Sequence, residues 1–307
     1  MQDIDLRGII PAIVTPMTSV GEIDLPALQR YARWLVKQRP VALAVNVDTG
    51  EGPHLTADEK RQTLETVVEA VSGMCKVIGG VGGPSTAQGV ENARAAKAAG
   101  ADALLIFPIA AFLGRPLNPE VPYRYHAAIA EAVDIPMVLF QLQPALGGVL
   151  FTTEILHRLI TIPTVAAIKE ASFDAMRFLQ VKSALETASR KITFLTGNDN
   201  FIFESFILGA EGALLGFSTL GTLEQVRMLE AVQRGDFNEA RELGCRLQPL
   251  ADIIFAPPVT DYRARTKEAL NMLGILEHTT VRAPLLPIAE NEREVIREAL
   301  RAAGLLQ

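Results

Sequence analysis

The sequence predicts an α/β chain folded as one (β/α)8 TIM barrel with a small C-terminal helical appendage. Three observations predict it. Eight short apolar runs, rich in β-branched residues, alternate with longer amphipathic stretches along most of the 307 residues. No linker or break in composition divides them. The alternative, a doubly wound open sheet, expects a GxGxxG turn after its first strand, and GIIPAIVTP carries proline there instead.

Taken in order, the strands are expected at 8–15, 41–47, 76–81 and 101–107, then at 136–141, 164–169, 192–197 and 212–217. The first, fifth and sixth are almost continuous apolar runs, as parallel strands covered on both faces require. Helices fill the gaps. Asp24 precedes a stretch with Leu25, Leu28, Tyr31, Ala32, Leu35 and Val36 at helical spacing. Thr56 with Glu59 three residues on has the form of a capping box. Pro84 and Ser85 open a third helix, which Gly100 closes. After the eighth strand come helical segments at 222–233, 236–250, about 260–275 and 290–304, more than a barrel needs. The expected division is therefore a barrel over 1–233 and a helical segment packed on it over 234–307.

Composition narrows the function. Hydrophobic residues make up 49% and charged residues 21%, the balance of a globular chain with a sizeable core. The formal net charge of −6, with no basic stripe, excludes a general nucleic-acid binder. The N-terminus MQDIDLRGII lacks the pattern of a signal peptide, and no segment approaches the roughly 18 uninterrupted apolar residues of a membrane span. The cytoplasm is the expected compartment. Cys75 and Cys245 have no metal-ligand spacing and read as reduced thiols. The four histidines, at 54, 126, 157 and 278, form no metal spacing either.

In a TIM barrel the chemistry gathers at the carboxyl ends of the strands. Lys169 ends the sixth run, on a strand buried on both sides, where an amine is costly unless paired or functional. Desolvation would lower its pKa and make it a nucleophile toward a carbonyl. A snorkelling lysine, or one paired with Glu170, fits the same pattern. After the second strand, Asp48, Thr49 and Gly50 form a turn whose amides and hydroxyl could hold a carboxylate. A simple Asx or ST turn leading into the next helix fits equally.

Several stretches, in order, resemble the dihydrodipicolinate synthase / N-acetylneuraminate lyase family of class I aldolases. GIIPAIVTPMTSVGEID resembles the family's opening, and VDTGEGPHLTADEK its GTTGE turn and following helix. AIKEAS resembles the lysine strand, TGNDN the segment after strand seven, and GAEGALLGFST the approach to strand eight. KEALNMLGILEHTTVRAPLLPI resembles the C-terminal helix and its Arg-x-Pro ending. The resemblance implies a tetramer- or dimer-forming, cofactor-independent lyase in which Lys169 forms a Schiff base with pyruvate or another 2-oxo acid. It implies Thr49 as the holder of the substrate carboxylate, with Gly50 beside it, and Glu51 as a structural anchor of the turn.

The chain departs from the family at the proton shuttle. The tyrosine expected at the end of strand five, in a Tyr-Asn pair, is replaced by Phe140 and Gln141, and the first threonine of GTTGE is Asp48. Asp48 thus stands as a replacement acid/base, with Phe140 and Gln141 lining the substrate site and Gln141 and Gln143 suited to hydroxyls or amides. The loop 141–148 has Ala145 near the place of the arginine that receives a distal carboxylate. After strand four, FPIAAFLGRP lacks a tyrosine pair but offers Arg115. These changes set the expectation against lysine biosynthesis and toward a 2-oxo or sugar-derived acid. Asn198 and Asp199 read as caps of the helix after strand seven. A binding protein that has lost imine chemistry is the second reading.

Overall fold

The computed structural model describes residues 4–114 and 116–306, so Arg115 lies outside the described residues. Its centre is a sheet of eight parallel strands: β1 (Ile9–Pro11), β2 (Ala42–Val45), β3 (Lys76–Val81), β4 (Ala103–Ile106), β5 (Met137–Leu142), β6 (Val165–Ala171), β7 (Thr193–Thr196) and β8 (Gly212–Leu215). Six fall within their expected runs, and β5 and β6 extend one and two residues beyond theirs. The sheet runs from β1 through β8, β7 and so on to β2. Its two edges meet, with Val41 N donating to Ile9 O at 3.0 Å and Ile13 N to Ala44 O at 3.0 Å. Closure leaves no unpaired edge.

Strand periodicity sorts the side chains into two cores. Ile10, Ala44, Ile78, Leu105, Val138 and Ala167 fill the barrel interior. Ile9, Leu43, Val77, Leu104, Leu139 and Ile168 point outward and pack against the helices. Those helices are α1 (Leu25–Val36), α2 (Ala57–Val71), α3 (Thr86–Ala98), α4 (Glu120–Val133), α5 (Thr153–Ile160), α6 (Ala175–Glu186), α7 (Ile202–Ile207) and α8 (Thr222–Gln233). The expected caps are in place. Asp24 accepts from Ala27 N, Ser85 from Gln88 N, and both halves of the Thr56–Glu59 capping box are formed.

Three more helices follow: α9 (Phe237–Ile254), α10 (Tyr262–Met272) and α11 (Glu290–Ala302). They match the segments read from the sequence to within a few residues, apart from the longer C-terminal end of α9. Helix α10 is unusual in composition. Every residue from Tyr262 to Leu270 is buried, including Arg263, Arg265, Lys267 and Glu268. Each of those charges has an opposite partner, on Asp48, Glu292, Glu51 and Arg293 respectively. Buried charge on this scale persists only when paired.

Candidate active site

Lys169 lies on β6 between Ala167 and Ala171, both of which face the barrel interior. It is buried, with 8% of its surface exposed. Its Nζ sits 4.4 Å from the centre of the Phe140 ring, which the β5–β6 register places directly alongside. Among the described residues no carboxylate lies within ion-pairing distance of Nζ, so the pairing with Glu170 does not form. Burial drives the Lys169 pKa below its ordinary value, while the charges of Asp199 and Asp48 oppose the drop. The stem has room because residue 197 is glycine. A Cβ there would stand 2.6 Å from Lys169 Cε and 2.7 Å from Ala171 Cβ.

The adjacent residues face the other way. Glu170, with no exposed surface, accepts from Gln141 Nε2 at 3.0 Å, Ser172 N at 3.0 Å and Asn198 Nδ2 at 2.7 Å. Gln141 Oε1 accepts from Phe151 N at 2.9 Å. This corrects the expectation for Gln141. Phe140 lies on the inner face, so the next residue on the strand must lie on the outer one, where Gln141 braces the wall instead of lining the site. Gln143 follows at the end of the strand. It is half-buried, and its Nε2 is enclosed without a hydrogen-bond partner among the described residues.

Asn198 and Asp199 are also corrected. Helix α7 starts at Ile202, and its N-cap, Phe201, makes no side-chain cap. Asn198 Oδ1 accepts from Phe173 N at 2.7 Å, and Asp199 Oδ1 accepts from Phe217 N at 2.9 Å, just beyond β8. Asp199 is buried, and desolvation raises its pKa well above the usual carboxylate value despite that bond and the attraction of Lys169. The capping rule failed because the chain after β7 turns across the barrel mouth before helix α7 begins.

Asp48, Thr49 and Gly50 form the turn beyond β2. Thr15 Oγ1 donates to Gly50 O at 2.7 Å, tying the turn to the end of β1. Glu51, at φ 57°, is fully buried and accepts from Lys267 Nζ and from Arg282 N at 2.6 Å. Asp48 is clamped from α10. Its Oδ1 takes Arg263 Nη2 at 2.6 Å, its carbonyl takes Arg263 Nε at 2.9 Å, and its Oδ2 takes the Tyr262 hydroxyl at 2.7 Å. That hydroxyl is also 3.4 Å from Thr49 Oγ1. Phe255 stacks on the Tyr262 ring with centroids 4.7 Å apart. Gly216, beyond β8, gives Tyr262 and Thr49 space, since a Cβ there would be 3.2 Å from Thr49 Oγ1 and 3.4 Å from Tyr262 Cε2.

Tyr262, Arg263 and Asp199 were missed as site residues. Tyr262 and Arg263 lie more than two hundred residues from Asp48 in sequence, in a polar helix without an apolar stripe. A signal did exist in Asp199, an acid at the carboxyl end of a strand, but the nearby helix claimed it as a cap. Among the described residues no group of three or more His, Cys, Asp or Glu is placed to hold a metal ion.

A desolvated amine at the carboxyl-terminal mouth of a (β/α)8 barrel, within the field of two carboxylates, is the equipment of an aldolase-type lyase. The chain belongs to the dihydrodipicolinate synthetase family, whose model matches residues 5–303. It is 31% identical, over 100% of both chains, to the 4-hydroxy-tetrahydrodipicolinate synthase of Gluconacetobacter diazotrophicus. Among solved structures it is similar to the chloride-inhibited dihydrodipicolinate synthase of Acinetobacter baumannii complexed with pyruvate. That match has TM-score 0.87 and 29% identity, covering 98% of this chain and 100% of that one. A monomeric dihydrodipicolinate synthase variant matches with TM-score 0.87 and 29% identity, covering 98% of this chain and 97% of that one. These relatives lend no support to the expectation set against lysine biosynthesis.

Proposed function

We propose that the protein is a Schiff-base lyase acting on a 2-oxo acid, with Lys169 as its nucleophile. The observation that carries this is the Lys169 amine itself, buried in the barrel mouth, free of an ion pair among the described residues and depressed in pKa. With its pKa lowered, more of the amine is neutral than in an ordinary lysine, and that neutral form attacks the C2 carbonyl. The carbinolamine then loses water to give an imine, and loss of a C3 proton gives the enamine. Retro-aldol cleavage, aldol condensation and dehydration all pass through that enamine. Thr49 and Gly50 hold the substrate carboxylate through their backbone amides, and Asp48 takes part in the proton transfers. The Phe140 ring forms the apolar wall below the amine. No cofactor is required, and the assembly is a homo-oligomer of two or four chains.

Pyruvate is the first acid to test, because a structural neighbour was solved complexed with it. The activity for which the curated relatives are named is the second arm of the test. The experiment is borohydride reduction with pyruvate and a panel of 2-oxo acids, read by peptide mass spectrometry. A reduced adduct on Lys169 is expected, with the best-trapped acid narrowing the substrate. If folded protein gives no adduct with any acid, the imine reading is wrong. The outcome would then favour a binding-only protein, a reading supported by the absence of a hydroxyl on Phe140. Such a protein would bind its ligand unchanged after Lys169→Ala and gain stability from it.

A further inference from the structure

The phenol that reaches the turn beyond β2 is Tyr262, and it comes from outside the barrel. We propose that Tyr262 is the proton carrier of this site, passing protons between the Asp48 carboxylate and the Lys169-bound intermediate by way of the Thr49 hydroxyl. The inference rests on the Schiff-base reading above and adds a residue that the turn beyond β2 does not itself supply.

The geometry sets the relay from Asp48 through Tyr262 to Thr49. Asp48 cannot swing to the substrate unaided, because Arg263 grips both its carboxylate and its own carbonyl, at 2.6 Å and 2.9 Å. What remains to the carboxylate is Oδ2, and it is occupied by the Tyr262 hydroxyl at 2.7 Å. The guanidinium thus holds the Asp48 carboxylate aimed at the phenol. The phenol oxygen, having given its hydrogen to Asp48, still has lone pairs, and Thr49 Oγ1 lies 3.4 Å away. Burial, and then the Asp48 charge, hold the Tyr262 pKa well above its ordinary value. A phenol in that setting does not part with a proton on its own. It passes one on only as it receives another.

The proton movements balance. Attack of the neutral amine leaves a cationic nitrogen and an anionic oxygen on the carbinolamine. The nitrogen proton goes to the Thr49 hydroxyl as that hydroxyl's own proton goes to Tyr262 and the Tyr262 proton goes to Asp48. Asp48 is then a neutral acid. The relay then runs back to place that proton on the carbinolamine oxygen, and the proton still on nitrogen follows by the same path as the C–O bond breaks, so that the oxygen leaves as water. Asp48 ends as the carboxylate it began as, and Lys169 is left in the imine.

The test is timed borohydride trapping with pyruvate, comparing wild-type protein with Tyr262→Phe, which keeps the ring stacked on Phe255 and removes only the hydroxyl. General acid–base groups typically contribute about 100- to 10,000-fold. Tyr262→Phe is therefore expected to form the same Lys169 adduct at least about 100-fold more slowly. In mixtures of light and heavy water the wild-type rate is expected to fall along a bowed line, because more than one proton moves at once. Tyr262→Phe should remove the bow. Equal trapping rates in the two proteins would overturn the relay while leaving the Schiff-base reading intact. No adduct in wild-type protein would overturn both. Should Tyr262→Phe not fold, the wild-type solvent-isotope curve decides, and a straight line would overturn the relay.

Discussion

Lys169 and Gln141 illustrate how one residue of strand register separates a side chain in the barrel mouth from one that braces the wall behind it. Because Gln141 satisfies Glu170 and Phe151 N behind the wall, Gln141→Leu should cost about 1–3 kcal/mol in denaturant unfolding, the penalty for stranding buried polar groups. Substrate affinity should be unchanged, and a raised KM with native stability would return Gln141 to the site. For Lys169 the expectation concerns pH. The rate of imine formation should rise along a limb centred below the ordinary lysine pKa of about 10.4. Asp199→Asn removes an anion that stabilises the ammonium form, so the limb should move to lower pH. A shift the other way would place Asp199 out of reach of the amine. Lys169 was legible because it closes an apolar run. Gln141 was misread because a strand's inner and outer faces cannot be told apart when both are apolar.

Helices differed in how much of themselves the sequence disclosed. Helix α2 announced its start through Thr56 and Glu59, whose reciprocal bonds are local and need no tertiary contact. Helix α10 disclosed its length and nothing of its surroundings. The string YRARTKEAL looks solvated, yet it is buried because Asp48, Glu51, Glu292 and Arg293 arrive from elsewhere to meet its charges. Partners that far apart leave no pattern in a single sequence. Helix α4 carries its own pH dependence. His126 is buried against Phe112 with Nδ1 on Pro122 O at 2.7 Å, and burial pushes its pKa down to about 4. The folded state therefore resists protonation that the unfolded state accepts, and stability should fall as pH drops from about 6.5 toward 4. At about 1.4 kcal/mol per pKa unit the loss approaches roughly 3 kcal/mol. Unfolding free energies of wild type and His126→Gln should converge at low pH, and parallel pH profiles would remove His126 as the cause.

Across the whole molecule, the eight strands were readable because each is a short apolar run bounded by helical signals, and the closure of the barrel follows from their number and alternation. What could not be read was how the chain's last third reaches back over the mouth. Lys267 and Arg282 N both end on Glu51, and Arg263 on Asp48, so the turn beyond β2 takes its shape from segments more than two hundred residues away. Lys267→Met should leave the Glu51 carboxylate buried without its cation and cost about 3–5 kcal/mol. Pairing it with Glu51→Leu should recover part of that loss. A Lys267→Met protein as stable as wild type would mean that the turn stands without the C-terminal helices.

The alternation along β5 and β6 has a wider consequence. The bonds that brace these strands from behind belong to Gln141 and Glu170, whereas Phe140 and Lys169 lie side by side on the inner face. Natural variation can therefore exchange the inner residues without disturbing the frame that aims them. A lineage built this way can drift from one ligand to another by single inward substitutions, each tried on an intact scaffold.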